Sequence, residues 1–449
     1  MKYNKFSDRI HLMRCARFLF VASLIINLLS CTRHTIIQSN GEARAFKSVE
    51  QFVKNSEIFS GHLTGIVLQD PADGSYIFNQ NGGKYFTPAS NTKLWTLFAS
   101  LNILGDSIPW MAVQEIDDKT VYFPMADASF LHPFMQSNRR TESYFNNTYE
   151  AGDTVYMSLS HYRDVRFGEG WMWDDQSYYF QAEKSAFPIH ANSVKITPNN
   201  GQLNIYPEWA PVVSNLTTGT TRFREETKNN YFIPKSQDFS SHMPVRITLE
   251  YYQAYFNSIG LHLEIISEPI NKNFSRVIYS IPADTLYKYY MGTSDNLIAE
   301  HLLLQCSMER LGYMHTADII DTLMNNEFKK WNDYWNWSDG SGISRYNLVT
   351  PNAMVSMMNA MTDSYSRERI KSILAKGGQG TMKRWYAYEP SRVFAKTGSL
   401  RYCHNLTGFI LTKQGHELTF SFMHNNFNHS STIVKEEMAR LIDLIVELY

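Results

Sequence analysis

The side chains of Ser90 and Lys93 have the types and the spacing of a nucleophile and its base. They stand at the two ends of the only Ser-x-x-Lys in the chain, and residues three apart on a helix lie on one face. A serine hydroxyl becomes a good nucleophile when a base takes its proton, and burial with nearby positive charge lowers the pKa of a lysine. The pattern predicts nucleophilic catalysis at Ser90 with Lys93 as its base, neutral at working pH. A helix cap at Ser90 is the structural alternative.

A second polar group, Thr293-Ser294-Asp295-Asn296, precedes an apolar pattern with helical spacing. If the chain is extended here, Ser294 and Asn296 point to the same side, because alternate side chains share a face. The hydroxyl could then relay a proton, and the amide could hold a substrate carbonyl. The same residues also fit a helix N-cap, so this motif alone leaves both interpretations open.

The third motif, Lys396-Thr397-Gly398-Ser399, lies in a predicted strand. Alternation places Lys396 and Gly398 on one face and Thr397 and Ser399 on the other. Gly398 removes a side chain where another backbone must come close. Such an edge can bind a peptide as an added strand and hold its terminal carboxylate by charge-assisted hydrogen bonds. An ordinary transition from strand to turn is the alternative.

The predicted elements place two of the motifs at helix starts and the third in a strand. A hairpin (residues 63–79) precedes a helix that begins near Pro88 and ends near Gly105, and residues 106–268 show short alternating runs typical of β structure. Helical periodicity then resumes before a last group of strands and a final helix. The predicted helices are 296–310, 317–335, 353–362, 367–374 and 434–448, and the predicted strands are 393–399, 406–411 and 418–423.

The composition excludes several classes of function. The 42 basic and 43 acidic side chains balance to a net charge of −1, so no basic surface is expected that would attract nucleic acid. No His-Glu-x-x-His and no Cys-x-x-Cys occurs, and we therefore expect no metal. Cys306 and Cys403 are too few for a disulfide framework and are predicted to be buried thiols.

The N-terminus has the features of a secretory signal. Five basic residues precede an apolar run from Phe18 to Leu29, which is too short to span a bilayer permanently. The run ends in Leu28-Leu29-Ser30-Cys31, which resembles a bacterial lipobox. Residues 1–31 are therefore predicted to be a lipoprotein signal peptide, with Cys31 lipidated. An ordinary signal peptide with a chance cysteine is the alternative.

In combination, the three motifs resemble the D-alanyl-D-alanine carboxypeptidase/endopeptidases of the low-molecular-mass class C penicillin-binding proteins. The order Ser-x-x-Lys, Ser-x-Asn, Lys-Thr-Gly is the one found in penicillin-binding proteins and class A β-lactamases. The stretches that carry the resemblance span nearly all of the chain after the signal: residues 87–93, 170–175, 294–300, 339–347 and 396–398.

The resemblance implies an α+β fold, a β-lactamase/transpeptidase-like domain in which helices pack an antiparallel sheet. Residues 46–105 and 269–449 would form this domain, and residues 106–268 a large, mainly β insertion. The turn-rich segment 339–347 would support the site rather than react.

The resemblance also implies a role for each motif residue. Ser90 would be the nucleophile, Lys93 the general base, Ser294 the proton shuttle and Lys396 an electrostatic partner. Asn296 would contact the substrate amide. Gly398 belongs to the substrate-binding motif, and Thr397 and Ser399 would bind the terminal carboxylate, with Ser399 where the family usually has threonine. The backbone N–H groups of Ser90 and Ser399 would form the oxyanion hole.

The expected substrates are peptidoglycan peptides that end in D-Ala-D-Ala or carry D-Ala cross-links, with β-lactams as inhibitors and no cofactor. The expected location is the cell envelope or periplasm, with the membrane reached through the lipid anchor. Three other functions stay open from the sequence: a β-lactamase, an esterase on the same scaffold, and a non-catalytic lipid-anchored peptidoglycan-binding protein.

Overall fold

Both ends of the described chain contribute to one antiparallel sheet. The computed structural model describes residues 47–136, 138–199, 201–235, 241–270 and 276–449. Its α-helices are α1 (residues 47–55), α2 (Glu57–Ser60), α3 (Lys93–Ile103), α4 (Arg139–Glu142), α5 (Tyr144–Thr148), α6 (Leu249–Ser258), α7 (Ala283–Thr293), α8 (Asn296–Leu311), α9 (Thr316–Asn325), α10 (Pro351–Ser364), α11 (Arg367–Ile373) and α12 (Ser431–Leu448).

The strands fall into two groups along the chain. The strands of the first half are β1 (Leu63–Gln69), β2 (Tyr76–Gln80), β3 (Ser107–Ile116), β4 (Lys119–Pro124), β5 (Thr154–Ser158), β6 (Ser193–Asn199), β7 (Gln202–Tyr206), β8 (Val213–Thr217), β9 (Phe223–Arg224) and β10 (Asn230–Pro234). Those of the second half are β11 (Ser241–Pro244), β12 (His262–Ile266), β13 (Arg276–Pro282), β14 (Trp335–Asn336), β15 (Leu348–Val349), β16 (Ala375–Lys376), β17 (Val393–Leu400), β18 (Cys403–Leu411) and β19 (Glu417–Asn425).

The principal sheet has six strands in the order β16-β17-β18-β19-β1-β2. All its neighbours are antiparallel, and β1 pairs with β19 from Leu63–Asn425 to Gln69–Thr419. Helices cover both faces, because alternate apolar residues of each strand point to opposite sides. In β19, Phe422 packs in the cluster with α1 and α12, whereas Met423 packs in the cluster with α3, α8 and α10. The α+β fold and the packed antiparallel sheet that the sequence predicts are confirmed.

The chain between α3 and α7 forms smaller sheets. A five-stranded sheet has the order β12-β5-β4-β3-β13, and two three-stranded sheets have the orders β8-β10-β9 and β11-β6-β7. This β-rich composition agrees with an inserted region. The boundaries at residues 105/106 and 268/269 stay a prediction; β13, which follows the second one, pairs with β3.

Capping residues determine where the helices that carry the site residues begin and end. The side chain of Asp295 accepts a hydrogen bond from Ile298 N and caps α8, which ends at Gly312 in the left-handed conformation. Thr350 caps α10 ahead of Pro351 at its first position. None of the helices in the described part of the chain is long and apolar enough to cross a membrane.

Candidate active site

The nucleophile candidate lies in a tight turn at the start of a buried helix. Residues Ala89–Thr92 form a 3-10 turn, and α3 begins at Lys93. Side chains three apart eclipse in such a turn, and Lys93 Nζ lies 3.1 Å from Ser90 Oγ. The predicted shared face of Ser90 and Lys93 is therefore present. The N-cap positions of the turn and of α3 are Pro88 and Thr92, not Ser90, and neither makes a side-chain capping hydrogen bond.

The backbone next to Ser90 is held in an unusual conformation. Ala89 is fully buried and has φ +50°, a region that costs free energy for any residue but glycine. The loop residue Gly342 packs on its carbonyl: a Cβ added at Gly342 would overlap Ala89 O and come within 3.0 Å of Thr92 Oγ1. Glycine is therefore required at 342, where φ is also positive, at +83°.

The amine of Lys93 is oriented by two acceptors that cannot donate. Asn296 Oδ1 and the Ser341 carbonyl each lie 2.6 Å from Nζ, closer than Ser90 Oγ. The Asn296 amide is oriented in turn, because its Nδ2 donates to Phe180 O at 2.8 Å. A neutral amine has two N–H groups and one lone pair. With both N–H groups taken by these acceptors, the lone pair of neutral Lys93 faces the Ser90 hydroxyl.

Opposing electrostatic effects set the pKa of Lys93. Burial lowers this pKa from its usual value of 10.5 to about 8, while the negative charges of Asp339, Glu300 and Asp295 oppose that change. The neutral form therefore predominates only above about pH 8. Burial thus lowers the pKa of Lys93 as the sequence predicts, while three carboxyl groups oppose the effect, and a Lys93 that is neutral at working pH stays a prediction.

Asp339 organises the loop that supplies the Ser341 carbonyl. Its Oδ1 accepts from Gly342 N at 2.8 Å and Asn347 Nδ2 at 2.7 Å, and its Oδ2 accepts from Ser344 N at 2.7 Å and Trp171 Nε1 at 2.9 Å. With Ser341 Oγ, 3.4 Å from Oδ2, five donors converge on one fully buried carboxyl group. The segment 339–347 thus supports the site rather than lining it.

Glu300, one turn into α8, fixes the same loop from the opposite side. Its Oε1 accepts from Ser341 N at 2.8 Å. Burial and then the charge of Asp339 raise the pKa of Glu300 to about 7. Its ionisation near neutral pH therefore changes the charge close to Lys93.

The second motif reaches the site by a geometry that the sequence did not predict. The chain is not extended here: Ser294 adopts the left-handed conformation, with φ +64°, between α7 and α8. Asp295 is the cap of α8, so capping does not occupy Ser294 or Asn296. The second oxygen of Asp295 lies 3.4 Å from His132 Nε2. Ser294 and Asn296 face the site because of this sharp turn, and not because of strand alternation.

The third motif lies on β17 next to the nucleophile turn. Lys396 is fully buried, and its Nζ donates to Ser294 Oγ at 2.9 Å and to Thr397 O at 2.7 Å. Burial and then the charge of Lys93 hold the pKa of Lys396 well below its usual range. Gly398 faces the turn: an added Cβ would lie 2.9 Å from Asn91 N and closer still to Pro88 O. The predicted close approach of another backbone is confirmed.

A cleft of about 210 Å³ joins the three motifs. Thr397 and Ser399, from the face of β17 opposite Gly398, line it together with Ser90 and Ser294. The strand edge beside them is unpaired, since β16 pairs only with Ala395 and Phe394 among the described residues. The other lining residues are Thr381, Met382, Trp385, Tyr386, His404 and Lys435.

Comparison with known proteins shows the family to which this chain belongs. The family model described as D-Ala-D-Ala carboxypeptidase 3 (S13) matches residues 45–118 and 263–447, more than half of the chain. The chain belongs to this S13 family. It is a serine-type D-Ala-D-Ala carboxypeptidase with penicillin-binding character, and the resemblance noted from the sequence is confirmed.

Individual relatives of this S13 chain are distant in sequence, and the share of the chain that they match differs. Penicillin-sensitive carboxypeptidase A of Dictyostelium discoideum is 22% identical over 96% of this chain and 97% of its own length. D-alanyl-D-alanine carboxypeptidase DacB of Haemophilus influenzae is 28% identical over 38% of this chain and 37% of its own. The crystal structure of penicillin binding protein 4 (dacB) from Haemophilus influenzae superposes with a TM-score of 0.72 at 19% identity, covering 89% of this chain and 99% of that one. The last likeness establishes the fold.

The S13 site also contains residues that motif reading did not single out. His404 Nδ1 lies 2.7 Å from Ser399 Oγ, Thr381 Oγ1 accepts from Thr397 Oγ1 at 2.8 Å, and Lys435 lines the cleft from α12. The i+5 spacing across the short β17–β18 turn could have indicated the pair of Ser399 and His404. Cys31 lies outside the described residues.

Proposed function

We propose that the protein hydrolyses the bond after the first D-alanine of peptidoglycan stem peptides or D-Ala cross-links through an acyl-enzyme on Ser90. The observation that carries this proposal is the arrangement around Lys93. Two acceptors at 2.6 Å take its N–H groups and leave its lone pair to the Ser90 hydroxyl. The base that a serine nucleophile needs is therefore oriented before substrate arrives.

In the acylation step, Ser90 Oγ attacks the carbonyl carbon of the scissile amide while its proton passes to neutral Lys93. The negative charge that develops on the carbonyl oxygen needs donors placed in advance. We assign the backbone N–H groups of Ser90 and Ser399 to this role. Support comes from the close packing of the nucleophile turn on β17, where Gly398 leaves no space for a side chain.

The leaving amine must gain a proton as the C–N bond breaks. Ser294 Oγ, held by Lys396 Nζ at 2.9 Å, lines the cleft beside Ser90 and is the proposed relay. Asn296 Oδ1 accepts from Lys93 Nζ and is positioned to contact the substrate amide. Lys93 passes its proton through Ser294 to the leaving amine and is neutral again. Water then attacks the ester carbonyl, Lys93 accepts a proton from it, and this proton goes to Ser90 Oγ as the ester C–O bond breaks.

The substrate is proposed to add to the sheet as an extended segment. The part of β17 that carries Thr397 and Ser399 has a free edge, and an antiparallel edge can pair with a peptide. The hydroxyls of Thr397 and Ser399 then lie on the side of the leaving group, where they can hydrogen-bond to its terminal carboxylate. β-lactams, which carry a strained amide and a carboxylate, are proposed to acylate the same serine, in line with the penicillin-sensitive relative.

Intact mass of the purified protein after brief exposure to penicillin tests this assignment. One stable adduct is expected, and it should be missing in Ser90→Ala, whose fold is checked by thermal unfolding. Ser100→Ala is a matched control, because Ser100 is buried on α3, the helix that follows the nucleophile turn, and donates only to Thr96 O. An intact antibiotic without adduct would refute the nucleophile, and destroyed antibiotic would favour a β-lactamase.

We further propose that residues 1–31 direct export and that Cys31 carries a lipid anchor. The support is the basic start, the short apolar run and Leu28-Leu29-Ser30-Cys31. A peptidoglycan substrate also requires a location in the cell envelope or periplasm. Metabolic labelling with a fatty acid analogue should mark the wild type and not Cys31→Ser.

A further inference from the structure

Lys435 adds a cation to the cleft that none of the three motifs contains. It lies on α12, near the C-terminus, and is partly exposed. It lines the cleft together with Ser399 and His404. Of the residues that line this cleft, it is the sole lysine or arginine.

The charge of Lys435 has no protein counter-ion in the described part of the chain. No hydrogen bond or ion pair engages its ammonium group there. Lys396 differs from Lys435, because it is fully buried and its Nζ donates hydrogen bonds to Ser294 Oγ and Thr397 O. Lys435 is thus the cation in this cleft that is free to meet a ligand.

His404 contacts Ser399 and is close enough to Lys435 to be influenced by its charge. Its Nδ1 lies 2.7 Å from Ser399 Oγ, and the ring is almost completely buried. Burial and then the positive charges of Lys435 and Lys396 lower the pKa of His404 to about 3. The imidazole is therefore neutral. When Nδ1 carries its proton it donates to Ser399 Oγ, and the hydroxyl hydrogen of Ser399 is left for a ligand.

The lining of this cleft suits an anion. Two hydroxyls, Thr397 and Ser399, and one unpaired cation line the same space beside the Ser90 nucleophile. We propose that Lys435 binds the free carboxylate of the leaving D-alanine and so determines the preference for substrates with a free C-terminus. This inference rests on the proposed function, since it assigns one end of the same cleft to the leaving group.

A pair of ester substrates separates charge recognition from the chemistry. Both are N-acyl-D-alanyl esters; the leaving group of one is D-lactate, with a free carboxylate, and that of the other is D-lactamide, which is neutral. We expect Lys435→Met to lower kcat/KM on the lactate ester about tenfold. The lactamide value should change less than about twofold, because methionine keeps the apolar stem and the helix propensity.

Two further variants complete the test. Lys435→Arg retains the charge and should keep most of the preference for the carboxylate. Lys228→Met removes one positive charge from an exposed position away from the cleft and should leave both substrates unchanged. Raised ionic strength should weaken the lactate preference of the wild type and not that of Lys435→Met.

Each result of these measurements supports or overturns the role of Lys435 in carboxylate recognition. An unchanged lactate preference in Lys435→Met, or an equal loss on both substrates, overturns the inference and leaves the proposed function intact. The same holds if the wild type cleaves both esters equally well. A wild type that cleaves neither ester overturns the proposed function, and the inference with it.

Discussion

Replacing Gly398 with alanine should separate β17 from the nucleophile turn. The added Cβ would lie 2.8 Å from Asn91 Oδ1 and 2.9 Å from Asn91 N, whereas ordinary contacts begin near 3.4 Å. At Pro88 O the overlap is about 1 Å. The turn cannot move away easily, because Pro88 O and the Asn91 side chain are hydrogen-bonded to Asn405 and Thr407 of β18. The strand must therefore shift.

The shift moves the cleft residues that flank Gly398. Lys396, Thr397 and Ser399 belong to the same strand, and a misplacement of about 1 Å at a reacting group costs about 100-fold in rate. We expect the acylation rate of Ser90 to fall by about this factor, which corresponds to about 2.7 kcal/mol in activation free energy. The free energy of unfolding should fall by about 1–3 kcal/mol from overpacking.

The assay is the rate of covalent labelling by a fluorescent penicillin, with urea unfolding measured on the same samples. Gly83→Ala is the matched control, because an added Cβ there meets nothing within 4 Å. A Gly398→Ala protein that is labelled within about threefold of the wild-type rate would refute the argument. So would an equal loss of rate in the control.

A pH profile and three substitutions test the surroundings of the nucleophile. In the wild type, kcat/KM should rise about tenfold per pH unit up to about pH 8, because neutral Lys93 is the base and protonation removes it. Glu300→Gln keeps an acceptor for Ser341 N but removes a charge that raises the pKa of Lys93. At pH 7.5, where Glu300 is mostly ionised and Lys93 is still mostly protonated, the rate should therefore increase about twofold. Ser294→Ala should lower kcat on the peptide about 100-fold. Asp339→Asn should lower the free energy of unfolding by about 3 kcal/mol, because buried donors lose their acceptor.

Matched variants serve as controls for these predictions. Glu309→Gln removes a carboxyl group of the same helix, α8, and should leave the pH profile unchanged. Ser372→Ala removes an exposed hydroxyl that donates only to Arg369 O and should not change kcat. A flat profile between pH 6 and 8, or an acid limb moved upward in Glu300→Gln, would contradict the role of Lys93. Wild-type stability of Asp339→Asn would contradict the role of the loop.

The sequence indicates most elements of the principal sheet and the helix that follows Ser90. Apolar alternation predicts strands 393–399, 406–411 and 418–423, and the structure has β17, β18 and β19 at these positions. These predictions are confirmed because apolar periodicity shows which face of an element is buried. A single helix over 317–335 is wrong: α9 ends at Asn325, and a 3-10 segment, Lys329–Tyr334, follows.

The motif residues could be found from the sequence, but not their surroundings. The left-handed Ser294 was missed because positive φ at a serine has no simple composition signal. The partners that set the pKa of Lys93, Glu300 and Asp339, lie more than 200 residues away in the chain. Their approach depends on packing between elements, which local patterns do not encode. Lys435 was missed for the same reason, since it looks like an ordinary polar position of an amphipathic helix.

The pairing of β1 with β19 has a consequence for the time at which the enzyme first becomes active. The hairpin just before the nucleophile turn forms its second set of hydrogen bonds with a strand more than 350 residues later. Contacts of this sequence separation form slowly and only after both segments are made. A chain still emerging from the ribosome therefore lacks β19, whose Asn425 Oδ1 accepts a hydrogen bond from Thr87 N just before the nucleophile turn. We expect hydrolytic activity only after β19 has been made, and a chain truncated before residue 417 should never acquire it.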